Sequence, residues 1–408
     1  MFIGMLLERI NLIKKIFIYL VISGLPFYYF LREYGSSASI TYSITLALLF
    51  FICFFQDFQN HFTKRYFLNT PSFLEVLILC NILFVIIFLK LWDKNLILLF
   101  VILLITKNLF SQHSKENFSS NSNALIVSAL IAGAGVALGF LELLFFDSHI
   151  FNQVMGFDYP YSDGTNETIL INGFFPSANS SAYCIVAGLA FTQYQNIFKG
   201  NSKYFLYFLL GTTLLLTKTK FGFLFTFSLL GIYFINNYSK SYLVFYLCSL
   251  ALSYIFLSHI MIAPNGCYDY PSLHFRRLLF SVGSIDFILG NYGMFKVFSF
   301  EAISSNIFFP IGLSNFEETY GGRPHFMIGG LIISGGLSLA IFLSLYLLIY
   351  LRNNFKNLSI LIKNNYLYSS ALICFLVETV NWNFGNNIYF WAIIMGLGSA
   401  HLMKKNLT

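Results

Sequence analysis

Apolar runs of about 16 to 25 residues recur from one end of the chain to the other, separated by stretches that carry most of its polar and charged residues. Each run, wound as a helix, is long enough to cross a hydrocarbon layer of roughly 30 Å. The pattern predicts helices over 16–31, 39–55, 73–90, 95–110, 124–146, 180–198, 204–217, 221–238, 242–260, 325–351, 367–380 and 388–403. That reads as an all-α, polytopic membrane protein of about 12 transmembrane helices. No tandem repeat, low-complexity linker or soluble domain interrupts it, so residues 1–408 form one integral membrane domain.

Composition agrees with this reading. The 408 residues are 57% hydrophobic, 19% aromatic and only 10% charged, against roughly 25% charged residues in soluble domains. A soluble core cannot hide so much apolar surface. Arg9, Lys14 and Lys15 precede the run from Ile16 to Leu31, as in a signal peptide, but no small-residue cleavage site follows, which predicts a retained first helix. Of the six cysteines, only Cys267 lies in a polar connection. Their spacing suits neither a disulfide framework nor a metal site.

A net charge of +7 invites a nucleic-acid reading, but the cations are scattered over loops, so no nucleic-acid partner is expected. Topology accounts for them better. With a cytoplasmic N-terminus, fifteen of the 24 lysines and arginines fall inside, as the positive-inside tendency requires. The same threading puts two long polar segments outside, at about 147–179 and 261–324, and leaves every cytoplasmic connection short. Chemistry is therefore expected on the outer face.

The outer cations need a reason. Arg32, Lys90 and Lys94 stand at helix ends, where snorkelling explains them. The tight turn Thr217-Lys218-Thr219-Lys220 either anchors headgroups or lets Lys220 hold a phosphate as a point charge. Residues 271–280, Pro-Ser-Leu-His-Phe-Arg-Arg-Leu-Leu-Phe, read as an interfacial helix, on which Arg276 and Arg277 point different ways, so at most one of them faces a site. Gly321-Gly322-Arg323-Pro324-His325 leads into a long apolar run. His325 is then either an interfacial polar residue or a group titrating near neutrality.

The first outer segment ends in the Gly-, Pro- and Asn-rich entrance Ile171-Asn172-Gly173-Phe174-Phe175-Pro176-Ser177-Ala178-Asn179. Such composition predicts irregular backbone rich in hydrogen-bonding groups. Glu75, Glu142 and Glu378 interrupt apolar runs, where an ionisable residue is a functional candidate by default. Glu75, close to a helix end, reads as structural.

These features together resemble the bacterial O-antigen polymerases and the related O-antigen ligases, over roughly the C-terminal 60% of the chain. The matching features are the Gly-Phe entrance followed by Asn (Gly173, Phe174, Asn179) and the short outer turn Thr217-Lys218-Thr219-Lys220. An outer Arg followed by Pro-Ile-Gly (Arg277, then Phe309-Pro310-Ile311-Gly312) and a His opening a helix that carries a later Gly (His325, Gly336) complete the set. Two departures stand out: Lys220 where the family usually has Arg, and Phe326 where Asn is common after the His.

The resemblance implies a glycosyltransferase-C-like membrane fold in the bacterial inner membrane, with a site facing the periplasm. It implies metal-independent transfer of a glycan from undecaprenyl pyrophosphate to an acceptor hydroxyl, with no cofactor. Arg277 with Lys220 or Arg276 would hold pyrophosphate, His325 would act as base or hydrogen-bond partner, and Arg323, Lys218 and Asn179 would support binding. The expected partners are the lipid-linked donor and acceptor, membrane lipid and a chain-length regulator. Polymerase is favoured over ligase by the long second outer segment. A lipid-linked oligosaccharide flippase fits the helix count, although no repeat is visible and the unexplained cations lie at the rim rather than the midplane.

Overall fold

The computed structural model describes residues 12–34, 36–64, 70–91, 93–111, 115–145, 150–156, 167–194, 198, 200–217, 219–237, 308–320, 327–379 and 387–399. These residues are almost wholly helical. Helix α1 (Leu12–Ser23) ends in a wider π-turn over Tyr19–Ser23 and is followed by α2 (Leu25–Tyr34), α3 (Ser36–Lys64), α4 (Thr70–Ile87), α5 (Lys94–Phe110) and α6 (Lys115–Phe145). A short antiparallel hairpin, β1 (Asn152–Gly156) and β2 (Glu167–Ile171), pairs Asn152 with Ile171 and Gly156 with Glu167. Then come α7 (Ala178–Phe191), α8 (Asn201–Leu216), α9 (Lys220–Asn237), α10 (Leu313–Tyr320), α11 (Met327–Asn353), α12 (Phe355–Asn364), α13 (Tyr366–Glu378) and α14 (Ile388–Gly396).

Two helices, Glu116–Phe145 and Met327–Asn353, are long and apolar enough to cross a membrane, and the bent pair Leu12–Ser23 and Leu25–Leu31 makes a third if counted as one span. Several others are apolar but shorter, among them Ala178–Phe191 and Tyr366–Glu378. The outer surface has the same character. Phe88, Phe145 and Phe208 each keep more than two-thirds of their surface exposed, which suits contact with lipid and not water. This is a membrane protein.

The structure departs from the sequence expectations in four places. The run 16–31 is two helices meeting at 54°, with the bend at the π-turn; apolarity is the same on both sides of Gly24, so hydropathy carries no sign of the angle. The segment 147–179 holds the hairpin. The connection 352–366 holds α12, whose Leu361 is buried. Within 261–324 the described part is helical at α10, and the expected helix 242–260 lies outside the described residues.

Packing follows from small residues. On α6, Ala129 lets Gly188 of α7 approach so closely that an added Cβ would stand 2.2 Å from the Ala129 Cβ. Close backbone approach of this kind is what drives helix pairing in lipid, where apolar burial gives no preference. Polar side chains join the same seam: Ser128 Oγ lies 3.2 Å from Cys184 Sγ and 3.0 Å from the Tyr389 hydroxyl.

The bundle has two ends. The C-terminus of α5 and the N-terminus of α4 share one, the Lys107 end. The starts of α7, α9, α11 and α14 share the other, the Asn179 end.

Candidate functional site

The first outer segment does not stay at the rim. Gly173 has φ +60, and a Cβ there would meet the Gly135 carbonyl carbon and the Val136 nitrogen at 2.7 Å. Only glycine combines that left-handed conformation with so close an approach. Helix α6 continues ten residues past Gly135 to Phe145, about 15 Å of rise, so α7 begins well below the end of its neighbour. Non-helical backbone at such depth is tolerated where it is buried in protein or lines a water-filled space.

Local bonds hold the elbow. Asn172 Nδ2 donates to the Phe175 carbonyl at 2.8 Å, the Ser181 hydroxyl donates to the Asn172 carbonyl, and Ser177 caps α7 by accepting from the Ser180 amide. Phe174 stacks among Phe27, Phe30 and Phe151, with ring centroids 5.3–5.6 Å apart.

The last turn of α13 is the hub of this end. Phe375 packs on Phe221 of α9 at 4.8 Å, on Tyr183 of α7 at 5.9 Å and on Phe390 of α14 at 6.2 Å. Its neighbour Thr379 accepts from the Met327 amide, the first residue of α11, at 3.0 Å. One helix C-terminus is thus enclosed by four helix starts. Those starts carry partial positive charge, and the carboxylate set among them is Glu378, only 6% exposed and close enough to Tyr183 to act on it electrostatically.

The three glutamates that interrupt apolar runs now separate. Glu75 pairs with Lys107 at 2.7 Å, a structural role as expected. Glu142 accepts from the Ile150 and Phe151 amides at 2.6 and 2.9 Å and so ties the hairpin to α6. Glu378 alone of the three stands at the hub.

Of the residues the sequence singles out, Asn179 is the second residue of α7, half-buried and one turn from Tyr183 on the same face. Lys220 opens α9, directly before Phe221. The structure therefore brings Asn179, Lys220 and Glu378 to one end of the bundle. In the turn between α8 and α9, both threonines are buried: Thr217 donates to the Leu214 carbonyl at 2.6 Å, and Thr219 accepts from the Gly222 amide at 3.2 Å. His325, Arg277, Arg276, Arg323 and Lys218 lie outside the described residues. Among the described residues no group of three or more His, Cys, Asp or Glu is placed to hold a metal ion.

Sequence reasoning passed over Asp93. It is buried and caps α5 by accepting from the Asn95 amide at 2.8 Å; its other oxygen accepts from the Leu313 amide of α10 at 3.2 Å. An Asp just before an apolar run is a capping signal, but its second partner, 220 positions away, leaves no local trace.

No protein-family model matches this chain, and no curated protein matches it significantly.

Proposed function

We propose that this protein is an O-antigen or related surface-polysaccharide polymerase. It would be a glycosyltransferase-C-like protein with about twelve spans in the bacterial inner membrane, joining undecaprenyl-pyrophosphate-linked repeat units at the periplasmic face. The Asn179 end is that face in this reading. The observation that carries it is the enclosure of the α13 terminus by four helix starts, at the end of the bundle where Asn179 and Lys220 stand. Converging helix N-termini favour a phosphate group through their dipoles, and a leaving pyrophosphate needs that stabilisation as charge develops on it.

The step itself is a displacement. A base, His325 or Glu378, takes the proton of the acceptor hydroxyl. The acceptor oxygen forms its bond to the anomeric carbon while the bond from that carbon to the pyrophosphate oxygen breaks. Undecaprenyl pyrophosphate leaves with the electron pair, its charge met by Arg277 with Lys220 or Arg276. Arg323, Lys218 and Asn179 bind the surrounding groups. No metal or cofactor enters.

Deleting the gene and reading the sugar ladder on lipopolysaccharide tests the proposal. A single attached repeat supports a polymerase; no attached sugar supports the related ligase, whose acceptor is the lipid A-core; an unchanged ladder overturns both. Within the polymerase reading, Arg277→Ala should cut turnover by about a hundredfold with normal expression, the effect of removing one preorganised donor. Arg277→Lys should recover little, since a point charge does not reproduce a two-pronged phosphate contact.

One observation favours a flippase as the second reading. The chain bends at Gly24, and α11 is broken at Gly336, where φ is +78 and ψ is 175; interrupted helices are a transporter feature. Movement of lipid-linked glycan in vesicles that hold no acceptor would decide for it.

A further inference from the structure

At the break in α11 a helix carbonyl takes a partner from far along the chain. Ile333 lies three residues before Gly336, and its carbonyl accepts from the Gly312 amide at 3.0 Å. Helix-breaking residues survive in membrane helices where neighbours satisfy the freed backbone groups, and Gly312, itself at φ +83, does so here. The next residue, Leu313, donates to the Asp93 carboxylate at 3.2 Å, and the Gly312 carbonyl in turn accepts from the Phe316 amide of α10. Phe316 is fully buried.

Asp93 therefore caps two helices at once. Its carboxylate serves the starts of α5 and α10, where negative charge is favoured by both dipoles. Its place in the fold is the connection between α4 and α5. The first of these helices lies beside the break: Asn81 of α4 donates to the Ser338 hydroxyl, two residues beyond Gly336, at 2.5 Å.

We infer that Asp93 is a positioning residue, clasping the segment Pro310–Leu313 onto the break in α11 and so fixing the half-helix Met327–Gly335 that docks on Thr379 beside Glu378. The clasp rests on geometry alone. Its catalytic consequence, a loss of turnover when it opens, rests on the polymerase reading.

Hydrogen exchange on the full chain in lipid nanodiscs tests the clasp. In Asp93→Ala, amides of 311–316 should exchange at least tenfold faster while the 124–136 stretch of α6 is unchanged. Asp93→Asn, which keeps one acceptor oxygen, should fall between. Leu313→Pro removes the donor instead, at a first-turn position where proline is tolerated; it should release 311–316 and leave the start of α5 protected, which keeps the test decisive if Asp93→Ala does not fold. Wild-type exchange in Leu313→Pro or in a folded Asp93→Ala overturns the clasp. In polymerisation of lipid-linked repeat units, the clasp variants should lower kcat several-fold with little change in donor KM. Released amides with unchanged kcat overturn the positioning role, whereas a wild-type chain that does not polymerise overturns the polymerase reading and leaves the exchange result standing.

Discussion

The two ends of the bundle put their polar groups to different uses. At the Lys107 end they are matched within the protein. Lys107 meets Glu75 at 2.7 Å, Lys14 meets Asn108 at 2.5 Å, Asn121 and Ser399 donate to the carbonyls of Leu109 and Phe110, each at 2.6 Å, and Tyr350 donates to the Met395 carbonyl at 2.8 Å. Each bond stitches two elements, and all but the last close the end of α5. At the Asn179 end α7 starts below the tip of α6, a glycine-dependent elbow descends beside it, and a carboxylate sits among helix starts. The first arrangement locks the fold; the second sets a carboxylate among helix starts of opposite partial charge. The difference lies in what the bonds hold: helix ends against one another at the Lys107 end, and an elbow and helix caps around Glu378 at the Asn179 end.

Breaking the elbow should have the largest effect. Gly173→Ala places a Cβ against the α6 backbone in a left-handed conformation, a strain beyond what side-chain shifts relieve. The expected cost is about 4 kcal/mol or more, past the usual range for a single change. Size-exclusion profiles and melting in detergent should show loss of folded protein, whereas Gly200→Ala, also at positive φ but with nothing within 4 Å, should be far milder. Equal behaviour of the two would mean the elbow does not hold α7 at depth.

Next comes the lock. Glu75 is buried but Lys107 is partly exposed, so leaving Lys107 unpaired should cost less than the roughly 3 kcal/mol of a fully buried pair, and Glu75→Ala should still lower the melting temperature. The double change Glu75→Leu with Lys107→Leu should recover most of it. If the double variant is as unstable as the single one, the pair is not what closes the Lys107 end.

The functional end should answer differently. Glu378→Gln keeps shape and most hydrogen bonding but cannot take a proton, so on the polymerase reading turnover should fall about a hundredfold, the lower range for general-base catalysis, with melting within a degree or two of wild type. Loss of stability without this selective loss of turnover would make Glu378 a structural residue like Glu75.

What the sequence revealed of this contrast follows from the range of the interactions involved. Most helix positions were legible within a few residues, since apolar length is a local property; the polar ends of α3 and α6, which run well beyond the expected 39–55 and 124–146, and the short helices α10 and α12 were not. Glu75 at a helix end and the irregular entrance at Gly173 were legible for the same reason. The bend at Gly24, the descent of the elbow onto Gly135, and the double duty of Asp93 were not. Each depends on a residue tens or hundreds of positions away, and a side chain carries no mark of such a partner. Glu378 was flagged as an intramembrane charge, but only the ring contacts of Phe375 with Tyr183, Phe221 and Phe390 distinguish it from the other two glutamates.

The smallest effect separates capping from chemistry at the Asn179 end. The Ser177 hydroxyl accepts from the Ser180 amide at 3.2 Å, an amide that also reaches the Ser177 carbonyl at 3.1 Å. Ser177→Ala should cost about 1 kcal/mol, and Ser177→Gly only a few tenths, since glycine leaves the amide open to other partners. Ser177→Asp should restore or exceed wild-type stability, because its charge suits both the cap and the helix start. Turnover gives the sharper comparison. If the converging helix starts act on an anionic donor, a new negative charge at Ser177 should repel it and raise the donor KM several-fold even as the melting temperature holds. A protein as stable as wild type with an unchanged KM would mean that this start caps its helix and takes no part in binding the donor.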